Sequence, residues 1–458
     1  MKFNKLFATV ASLFVLAACS SSDPEPLPDA GDDAAVTAPA FIQVLHASAD
    51  APPVDVLVNG AVAIPDFDYK QGSGLIELEP ATEYQIAVSA QLPGDDAVVI
   101  GGEGEEVFLT FDAGTITTIS AIGNAAEIGA NVFTQLNNNP TSGNAEISVL
   151  HAVPGAGEVV VYATAFDADL AASAPVGTFD FGGTLGPVEV PAGEYQIRAA
   201  LASAPTTAIF DSGAIDVPAG RFLIAAVPST TGGDSPLSLT VLTQTGSFEI
   251  FDVSTQAVVR AVHNATDVPA VDIAAGGAVA IPNLTFPNVS DTIEVPGGTY
   301  TIEVALEGQY PAGVAIGPVD LDFDTGTVNT VVARGTILND DLDASQLAED
   351  TRSVALYSKV RVFHGASTAP AVDVYLVAPG STDLSGGPAI AGLDYAASSG
   401  FAAVPAGTYD AIVTLAGTET IAIGPAALPE LTNGDVVTVI ARDPMMGSEE
   451  FGLTLFTD

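Results

Sequence analysis

The chain is poor in cysteine, tryptophan and basic residues. Its 458 residues include one cysteine, no tryptophan, and 11 lysines and arginines against 56 acidic residues, which gives a formal net charge of -45. A single thiol excludes an internal disulfide framework and a cluster of thiolate metal ligands. A surface this acidic repels phosphate backbones, so we predict no nucleic-acid partner. The sequence has no phosphate-binding glycine loop, Gly-x-Ser-x-Gly elbow or His-Glu-x-x-His motif, and we therefore expect no catalytic site.

The N-terminus has the layout of an export signal. Lys2 and Lys5 precede residues 6–18, an uncharged and mostly apolar run of thirteen residues. This length suits the core of a signal peptide and falls short of the roughly 20 residues that span a membrane. We therefore assign residues 1–18 to a signal peptide.

The end of this signal, Leu16-Ala17-Ala18-Cys19, resembles the bacterial lipobox. The resemblance implies cleavage before Cys19 and acylation there, with fatty acids such as palmitate. Because each buried CH2 contributes about 0.8 kcal/mol, two or three acyl chains hold a protein stably at a membrane. Ser20 favours the outer membrane, on either its periplasmic or its surface-exposed face. An ordinary signal peptide with an incidental cysteine is the alternative.

The next stretch is predicted to be a flexible tether. Residues 20–39 read SSSDPEPLPDAGDDAAVTAP and contain few large apolar side chains. Such a stretch cannot bury enough surface to offset its loss of conformational entropy on ordering. We therefore expect residues 19–39 to form a lipidated, flexible connection to the folded part of the chain.

Three signatures recur in four copies along the rest of the chain. The first places a histidine after an alternating apolar run, as in FIQVLHASADAPPVDV, and all four histidines of the protein occupy this position: His46, His151, His263 and His364. The second, as in VPAGEYQI, contains Tyr84, Tyr195, Tyr300 and Tyr409. The third joins a glycine-containing turn to a Thr/Val/Ile run, as in DTGTVNTVV. Because successive histidines are 105, 112 and 101 residues apart, we predict domains at residues 40–140, 145–250, 256–342 and 356–458.

Each signature is typical of β structure. Apolar residues alternate at period two between turns rich in glycine, proline and aspartate, which predicts about six to eight strands per repeat. We predict an all-β chain of tandem immunoglobulin-like β-sandwich domains, in which the recurrent tyrosine resembles a tyrosine corner. A propeller with two blades per repeat is the alternative architecture. Residues 339–353 could form a short helix in the third linker.

The motifs in combination resemble a known bacterial repeat family. The segments HASADAPPVDVLVNG, HNATDVPAVDI and HGASTAPAVDVYL, together with VPAGTYD, are similar to the family called domain of unknown function 4397. The resemblance extends from residue 40 to the C-terminus, and the second copy departs most from the pattern. It implies an exported, surface-associated protein and offers no activity to carry over.

A recurrent His–Asp pair is the first candidate for chemistry. In three copies an aspartate follows the histidine by nine residues: Asp55, Asp272 and Asp373. Such a pair across neighbouring strands could orient an imidazole for base catalysis or metal binding. The second copy, however, keeps His151 and has Val160 in place of the aspartate, and no nucleophile recurs. One histidine per domain is also too few for a transition-metal site, so we expect the histidine to bond the following turn.

Acidic clusters are the second candidate, for calcium. They lie at residues 95–96, 320–324 and 339–343. Calcium needs six to eight converging oxygens, and only residues 339–343 lie between domains, where an ion could stiffen a joint. We expect no cofactor, with calcium at this cluster as the alternative.

These observations predict a non-enzymatic cell-envelope lipoprotein that presents tandem β domains for binding, adhesion or structural spacing. Its expected partners are the membrane, through the lipid, and an envelope component, a matrix polymer or a protein ligand. Two alternatives stay open. One is an envelope or extracellular glycan or ester hydrolase with a site between domains, and the other is a calcium-stiffened surface stalk.

Overall fold

The fold is built from strands throughout. The computed structural model describes residues 38–93, 97–99, 107–231, 233–445 and 447–458, so Cys19 and residues 95–96 lie outside the described residues. Two short 3-10 helices, Ala125–Glu127 and Leu170–Ala172, are the exceptions to the β structure in these ranges. None of the helices found there is long and apolar enough to cross a membrane. The all-β prediction is confirmed.

The first two repeats contain nine strands each within the described ranges. Repeat 1 has β1 Ala40–His46, β2 Val54–Val58, β3 Ala61–Phe67, β4 Ile76–Leu78, β5 Glu83–Gln91, β6 Ala97–Val99, β7 Val107–Thr110, β8 Thr115–Ile122 and β9 Gly129–Leu136. Repeat 2 has β10 Asn144–His151, β11 Val159–Thr164, β12 Gly177–Phe179, β13 Thr184–Pro191, β14 Gly193–Leu201, β15 Ala208–Val217, β16 Gly220–Pro228, β17 Leu237–Thr243 and β18 Gly246–Ile250.

The last two repeats contain eight strands each over their described residues. Repeat 3 has β19 Ala257–His263, β20 Val271–Ala275, β21 Ala278–Leu284, β22 Ile293–Val295, β23 Gly298–Leu306, β24 Val314–Phe323, β25 Val328–Arg334 and β26 Asp343–Glu349. Repeat 4 has β27 Ser358–His364, β28 Val372–Val377, β29 Ile390–Leu393, β30 Ser398–Val404, β31 Asp410–Leu415, β32 Ile421–Ala427, β33 Val436–Arg442 and β34 Gly452–Thr457.

Each repeat folds into two sheets. The histidine sheet, which contains the strand that ends in the signature histidine, has the orders β4-β1-β8-β9, β13-β10-β16-β17-β18, β22-β19-β25-β26 and β30-β27-β33-β34. The partner sheet has the orders β3-β2-β5-β6 with β7 also on β5, β12-β11-β14-β15, β21-β20-β23-β24 and β29-β28-β31-β32. In every histidine sheet the histidine strand runs parallel to the strand of the third signature, and its other neighbour is antiparallel.

The inner faces of the two sheets form the core of each sandwich. In repeat 3, Val259 and Ala261 of β19 face the partner sheet and share a buried cluster with Ile273, Val304 and Phe323. Burying one such side chain stabilises the fold by roughly 1.5–3 kcal/mol. The two-sheet sandwich predicted from the period-two pattern is confirmed.

The outer face of each histidine sheet is also buried, against another repeat. Leu45 of β1 and Leu150 of β10 share one cluster, whereas Val262 of β19 and Phe363 of β27 share another. Repeats 1 and 2 therefore pack as one pair, and repeats 3 and 4 as a second. A strand that is buried on both faces needs apolar residues almost throughout, which explains runs such as QVLHA and VRVFH.

Polar contacts fasten repeat 1 to repeat 2 at the rim of their shared face. The Tyr69 hydroxyl donates to the Pro228 carbonyl oxygen at 2.6 Å. The Lys70 ammonium lies 2.5 Å from the Glu249 carboxylate. The backbone N–H of Leu75 also bonds to the carbonyl of Gln244, so the contact between these repeats includes main-chain pairing.

A buried ion network joins repeats 3 and 4. The Glu349 carboxylate, which has no exposed surface, lies 2.5 Å from the Arg361 guanidinium of repeat 4 and 3.5 Å from the Arg260 guanidinium of its own repeat. Arg260 also pairs with the Asp458 carboxylate of repeat 4. Because each charge has an opposite partner, the two arginines can occupy an interface that is otherwise apolar.

The boundary of repeat 3 differs from the prediction. Residues 343–349, which were expected to belong to a helical linker after residue 342, form β26 along the edge of the histidine sheet. Ala344 packs on the inner core and Leu347 packs on the outer face, so the segment has two buried sides at strand spacing. The helix prediction is wrong because this tertiary packing overrides the local helical preference.

The linker that follows β26 contacts repeat 1. The Arg352 guanidinium donates to the Ala51 carbonyl at 2.7 Å and lies 2.5 Å from the Asp68 carboxylate. The backbone N–H of Ala355 bonds to the Asp50 carbonyl at 2.8 Å. Residues 38–458 consequently form one compact unit, in which the second pair is fastened to the first.

The ion network gives the first testable prediction. We expect Glu349→Gln to destabilise repeats 3 and 4 by about 3–5 kcal/mol, because two buried guanidinium groups lose a shared counter-charge. Asp350→Asn is the matched control. Its carboxylate pairs with Lys359 at 2.7 Å but is 50% exposed, so we expect a loss of at most about 1 kcal/mol. Urea dependence of hydrogen exchange in β25 and β33 measures both changes, and equal losses would contradict the prediction.

Candidate functional site

Each signature histidine folds back onto the turn that follows its strand. Nε2 lies 2.9–3.2 Å from the carbonyl oxygen six residues later, in Pro52, Gly157, Pro269 and Pro370. In three repeats Nδ1 accepts the backbone N–H two residues later, from Ser48, Val153 and Ala366. An acceptor at Nδ1 leaves the proton on Nε2, where it is donated to the carbonyl. The imidazole thus closes the turn, and each histidine is only 1% exposed.

An aromatic ring stands edge-on to every signature imidazole. The ring centroids are 5.9–6.3 Å apart, and the partners are Tyr69, Phe181, Phe286 and Tyr395. The sequence interpretation missed these rings because they follow the histidine after loops of different lengths. Their signal was nevertheless present as a fourth recurrent motif, in the triplets FDY, FDF, LTF and LDY.

The signature aspartates lie in the other sheet and do not pair with the histidines. Asp272 is in β20, and its two carboxylate oxygens accept the backbone N–H groups of Asn283 and Gly308 at 2.9 and 2.7 Å. Asp373 accepts those of Gly392 and Gly417 at 2.6 and 2.8 Å. The His–Asp pair that the spacing suggested is therefore wrong, because the histidine strand and the strand that follows it belong to different sheets.

Asp55 has a similar position in repeat 1, and Val160 replaces it in repeat 2. Asp55 accepts the backbone N–H of Asp66 at 3.0 Å and the side-chain amide of Gln91 at 2.8 Å. Val160 instead packs in a small apolar cluster with Tyr162 and Leu170. The same strand position thus binds neighbouring chain segments by hydrogen bonds in three repeats and makes apolar contacts in the other.

The signature tyrosines bond the main chain just ahead of their own strands. In repeats 2, 3 and 4 the hydroxyl donates to the carbonyl oxygen four residues earlier, in Pro191, Pro296 and Pro405, at 2.8–3.1 Å. In repeat 1 the Tyr84 hydroxyl accepts the N–H of Glu79 at 3.0 Å. This is the geometry of a tyrosine corner, in which a hydroxyl fixes the approach of the chain to the strand.

A family model matches these repeats. The family, described as Domain of unknown function (DUF4397), matches residues 40–162, 145–250, 257–375 and 358–458. The chain belongs to this family. Its four DUF4397 repeats are the sandwiches described above, and the histidine, aspartate and tyrosine contacts are made within single repeats.

Other comparisons add little to the family assignment. No curated protein matches the chain. Among solved structures, the chain is similar to the Bacillus anthracis TIE protein, at 12% identity over 85% of this chain and 74% of that one, with a TM-score of 0.16. A similarity at this TM-score carries no argument about the DUF4397 repeats.

In the two acidic clusters that lie in the described ranges, the carboxylates make contacts within the protein. Asp320 and Asp322 lie on the exposed face of β24, where they accept hydrogen bonds from Thr301 and Thr299. In residues 339–343, Asp341 accepts the N–H of Thr336 at 2.7 Å, and Asp343 pairs with Arg334 at 2.7 Å. Over the part of the chain that the structure describes, no three His, Cys, Asp or Glu side chains are grouped to hold a metal ion.

Burial sets the charge state of three of the signature histidines. It holds the pKa of His46, His151 and His263 below the ordinary value of 6.5, and the hydrogen bond to the turn carbonyl opposes this shift in part. Each of these imidazoles is therefore neutral in the folded protein near neutral pH. An enclosed, neutral ring bonded to its own turn is suited to holding that turn in place.

The lowered pKa gives a second testable prediction. As the pH falls below about 6.5, the unfolded chain binds protons at these histidines before the folded chain does. The free energy of unfolding is therefore lower below this pH than above it. We expect the decrease in unfolding free energy between pH 7.5 and 5.5 to be smaller in His263→Asn than in the wild type. The difference is up to about 1.4 kcal/mol for each unit by which the pKa of His263 differs between the folded and unfolded chains. Urea unfolding at several pH values, followed by hydrogen exchange in β19, measures it.

Tyr300→Phe is the control for this experiment. It removes the 2.8 Å hydrogen bond to Pro296 in the same repeat without changing a group that titrates over this range. We expect a loss of about 0.5–1.5 kcal/mol that does not depend on pH. An unchanged pH dependence in His263→Asn would contradict the role given to burial.

Proposed function

We propose that this protein is a non-enzymatic, lipid-anchored protein of the bacterial cell envelope, whose four DUF4397 repeats form a rigid block for binding, adhesion or spacing. The observation that carries the proposal is that the signature histidines, tyrosines and aspartates bond within their own repeats. The residues that recur in the four copies therefore stabilise the fold of each repeat. No cofactor and no catalytic group form part of this function.

The packing of the repeats supports a spacing or presenting role. Two pairs share buried sheet faces, and Arg352 and Ala355 fasten the second pair to the first. A block with these contacts resists bending at its repeat boundaries, unlike domains joined by bare linkers. It can hold a surface at a fixed distance from its attachment point.

The charge of the chain indicates the kind of partner. Acidic residues outnumber basic ones by 56 to 11, and Arg260, Arg361, Lys70 and Lys359 are already paired with carboxylates. Such a surface attracts cationic groups and repels nucleic acid. We therefore propose an envelope component, a matrix polymer or a protein with basic groups as the ligand, besides the membrane contacted through the lipid.

Attachment through Cys19 gives the third prediction. We expect Cys19→Ser to abolish incorporation of labelled palmitate, since serine provides no thiol for acylation, and to retain the signal peptide. Ser20→Ala, at the neighbouring position, is the control and should still be labelled. Equal labelling of wild type and Cys19→Ser would contradict the anchor.

The placement and the role are tested on intact cells. Proteinase K suits this test better than trypsin, because lysines and arginines are few and several are buried. We expect digestion of the repeats on intact cells if they face outward, and only after the outer membrane is opened if they face the periplasm. A deletion strain that retains normal adhesion, together with a purified protein that binds no envelope or matrix component, would overturn the proposed function.

A further inference from the structure

Repeat 2 contains an apolar cavity between its two sheets. Its volume is about 80 Å³, and its walls come from both sheets. The side chains that define it are Val149, Val161, Tyr195, Ala199, Val217 and Ile224. The two polar side chains among the lining residues are His151 and Tyr195, and their polar atoms bond to the backbone at Gly157 and Pro191.

The cavity arises from two positions at which repeat 2 has a smaller side chain than the other repeats. Ala199 is paired with Val161 across the partner sheet, and the equivalent pairings place Val88, Val304 and Val413 there. Val217 is paired with Gly193, and the equivalent position of repeat 3, opposite Gly298, holds Phe323. Repeats 1 and 4 have Phe111 and Leu431 at this place, and both are almost fully buried.

Repeat 2 lacks the phenylalanine ring that packs against the signature tyrosine in repeats 1 and 3. Tyr84 packs against Phe111 with ring centroids 5.9 Å apart, and Tyr300 packs against Phe323 at 5.8 Å. In repeat 2 the shorter Val217 takes the place of the phenylalanine, and Tyr195 lines the cavity. A ligand with a ring or a short alkyl segment would restore the contact that the sister repeats make internally.

The cavity has a route to solvent along one side of the sandwich. Val176 and Val188 line it and are 38% and 39% exposed. They lie at β12 and β13, which are the edge strands of the two sheets and do not pair with each other. A slender molecule can enter between these edges without breaking a ladder of backbone hydrogen bonds.

We propose that repeat 2 is a binding site for a small apolar ligand, a hydrocarbon group no wider than one ring, which occupies the space beside Tyr195, Ala199 and Val217. A wall without free hydrogen-bonding groups selects a neutral, apolar group. An apolar protein cavity of about 150 Å³ stays dry and admits benzene or xenon, so a site of roughly half that volume takes xenon directly and a ring or alkyl end with small side-chain movements. The site is independent of the proposed envelope role.

Filling the cavity from the sister repeats tests this proposal. In the full chain, we expect xenon to shift the methyl resonances of Val149, Val161 and Ile224 with increasing concentration, and we expect the double variant Ala199→Val/Val217→Phe to reduce this shift at least tenfold. Residue-resolved methyl signals are needed because repeat 1 has a mainly apolar space of about 250 Å³ that can also take up xenon. The melting temperature of the double variant should rise by about 2–4 °C, because the added groups fill space. An equal xenon shift in wild type and variant would overturn the proposal.

A second variant, which introduces the small side chains of repeat 2 into repeat 3, keeps the proposal testable if the cavity-filling variant does not fold. Val304→Ala/Phe323→Val gives repeat 3 the two small side chains of repeat 2 and enlarges a space of about 30 Å³ already present there, so we expect xenon to shift the methyl resonances of Ile302 and Val331 in this variant more than in the wild type. Absence of xenon binding in both wild type and this variant would overturn the proposal. Displacement of xenon by toluene identifies a ring as the natural fit, and displacement by 1-decanol identifies an alkyl chain. Failure of both to displace it would contradict a hydrocarbon ligand.

Discussion

The organisation of this protein depends on the burial of the outer face of each histidine sheet. A sandwich normally hides one face of each sheet and leaves the other in water. Here Leu45 and Leu150 meet across one contact and Val262 and Phe363 across another, so a repeat alone would expose an apolar surface. The ion network of Arg260, Arg361, Glu349 and Asp458 is a consequence, because polar positions in those strands also become buried. The pairing of the repeats follows from this constraint.

Much of the repeat could be predicted from sequence. Period-two alternation and glycine turns gave the strands, and the recurrence of histidine and tyrosine gave four sandwiches. The pairing of repeats could not be predicted, since a run such as QVLHA indicates that a strand is buried on both faces without naming what covers it. The helix expected over residues 339–353 failed for a related reason. Ala344 packs on the inner core and Leu347 packs against the neighbouring repeat, so the strand is stabilised by these tertiary contacts.

The candidate sites show the same division. Val160 in the second copy correctly indicated that the histidine does not depend on the aspartate. The role of the aspartate could not be predicted without the topology, which places the histidine strand and the aspartate strand in different sheets. Asp272 and Asp373 each accept two backbone N–H groups from segments that are far apart in sequence, as Asp373 does with Gly392 and Gly417. The cavity of repeat 2 was equally out of reach. The strand register is needed to show that Ala199 is equivalent to Val304 of repeat 3, and that Val217 is equivalent to Phe323. The sequence alone does not show that these two positions have smaller side chains in repeat 2.

The buried arginines between repeats 3 and 4 also disfavour the pairing of the wrong repeats. A chain with four similar domains risks joining the wrong neighbours while it folds. At the position three residues before the histidine, repeats 1 and 2 have Gln43 and Ser148, whereas repeats 3 and 4 have Arg260 and Arg361. A mismatched pair would enclose a guanidinium away from Glu349 or Asp458, at a cost of several kcal/mol. The difference at this position therefore favours pairing of repeat 1 with repeat 2 and of repeat 3 with repeat 4.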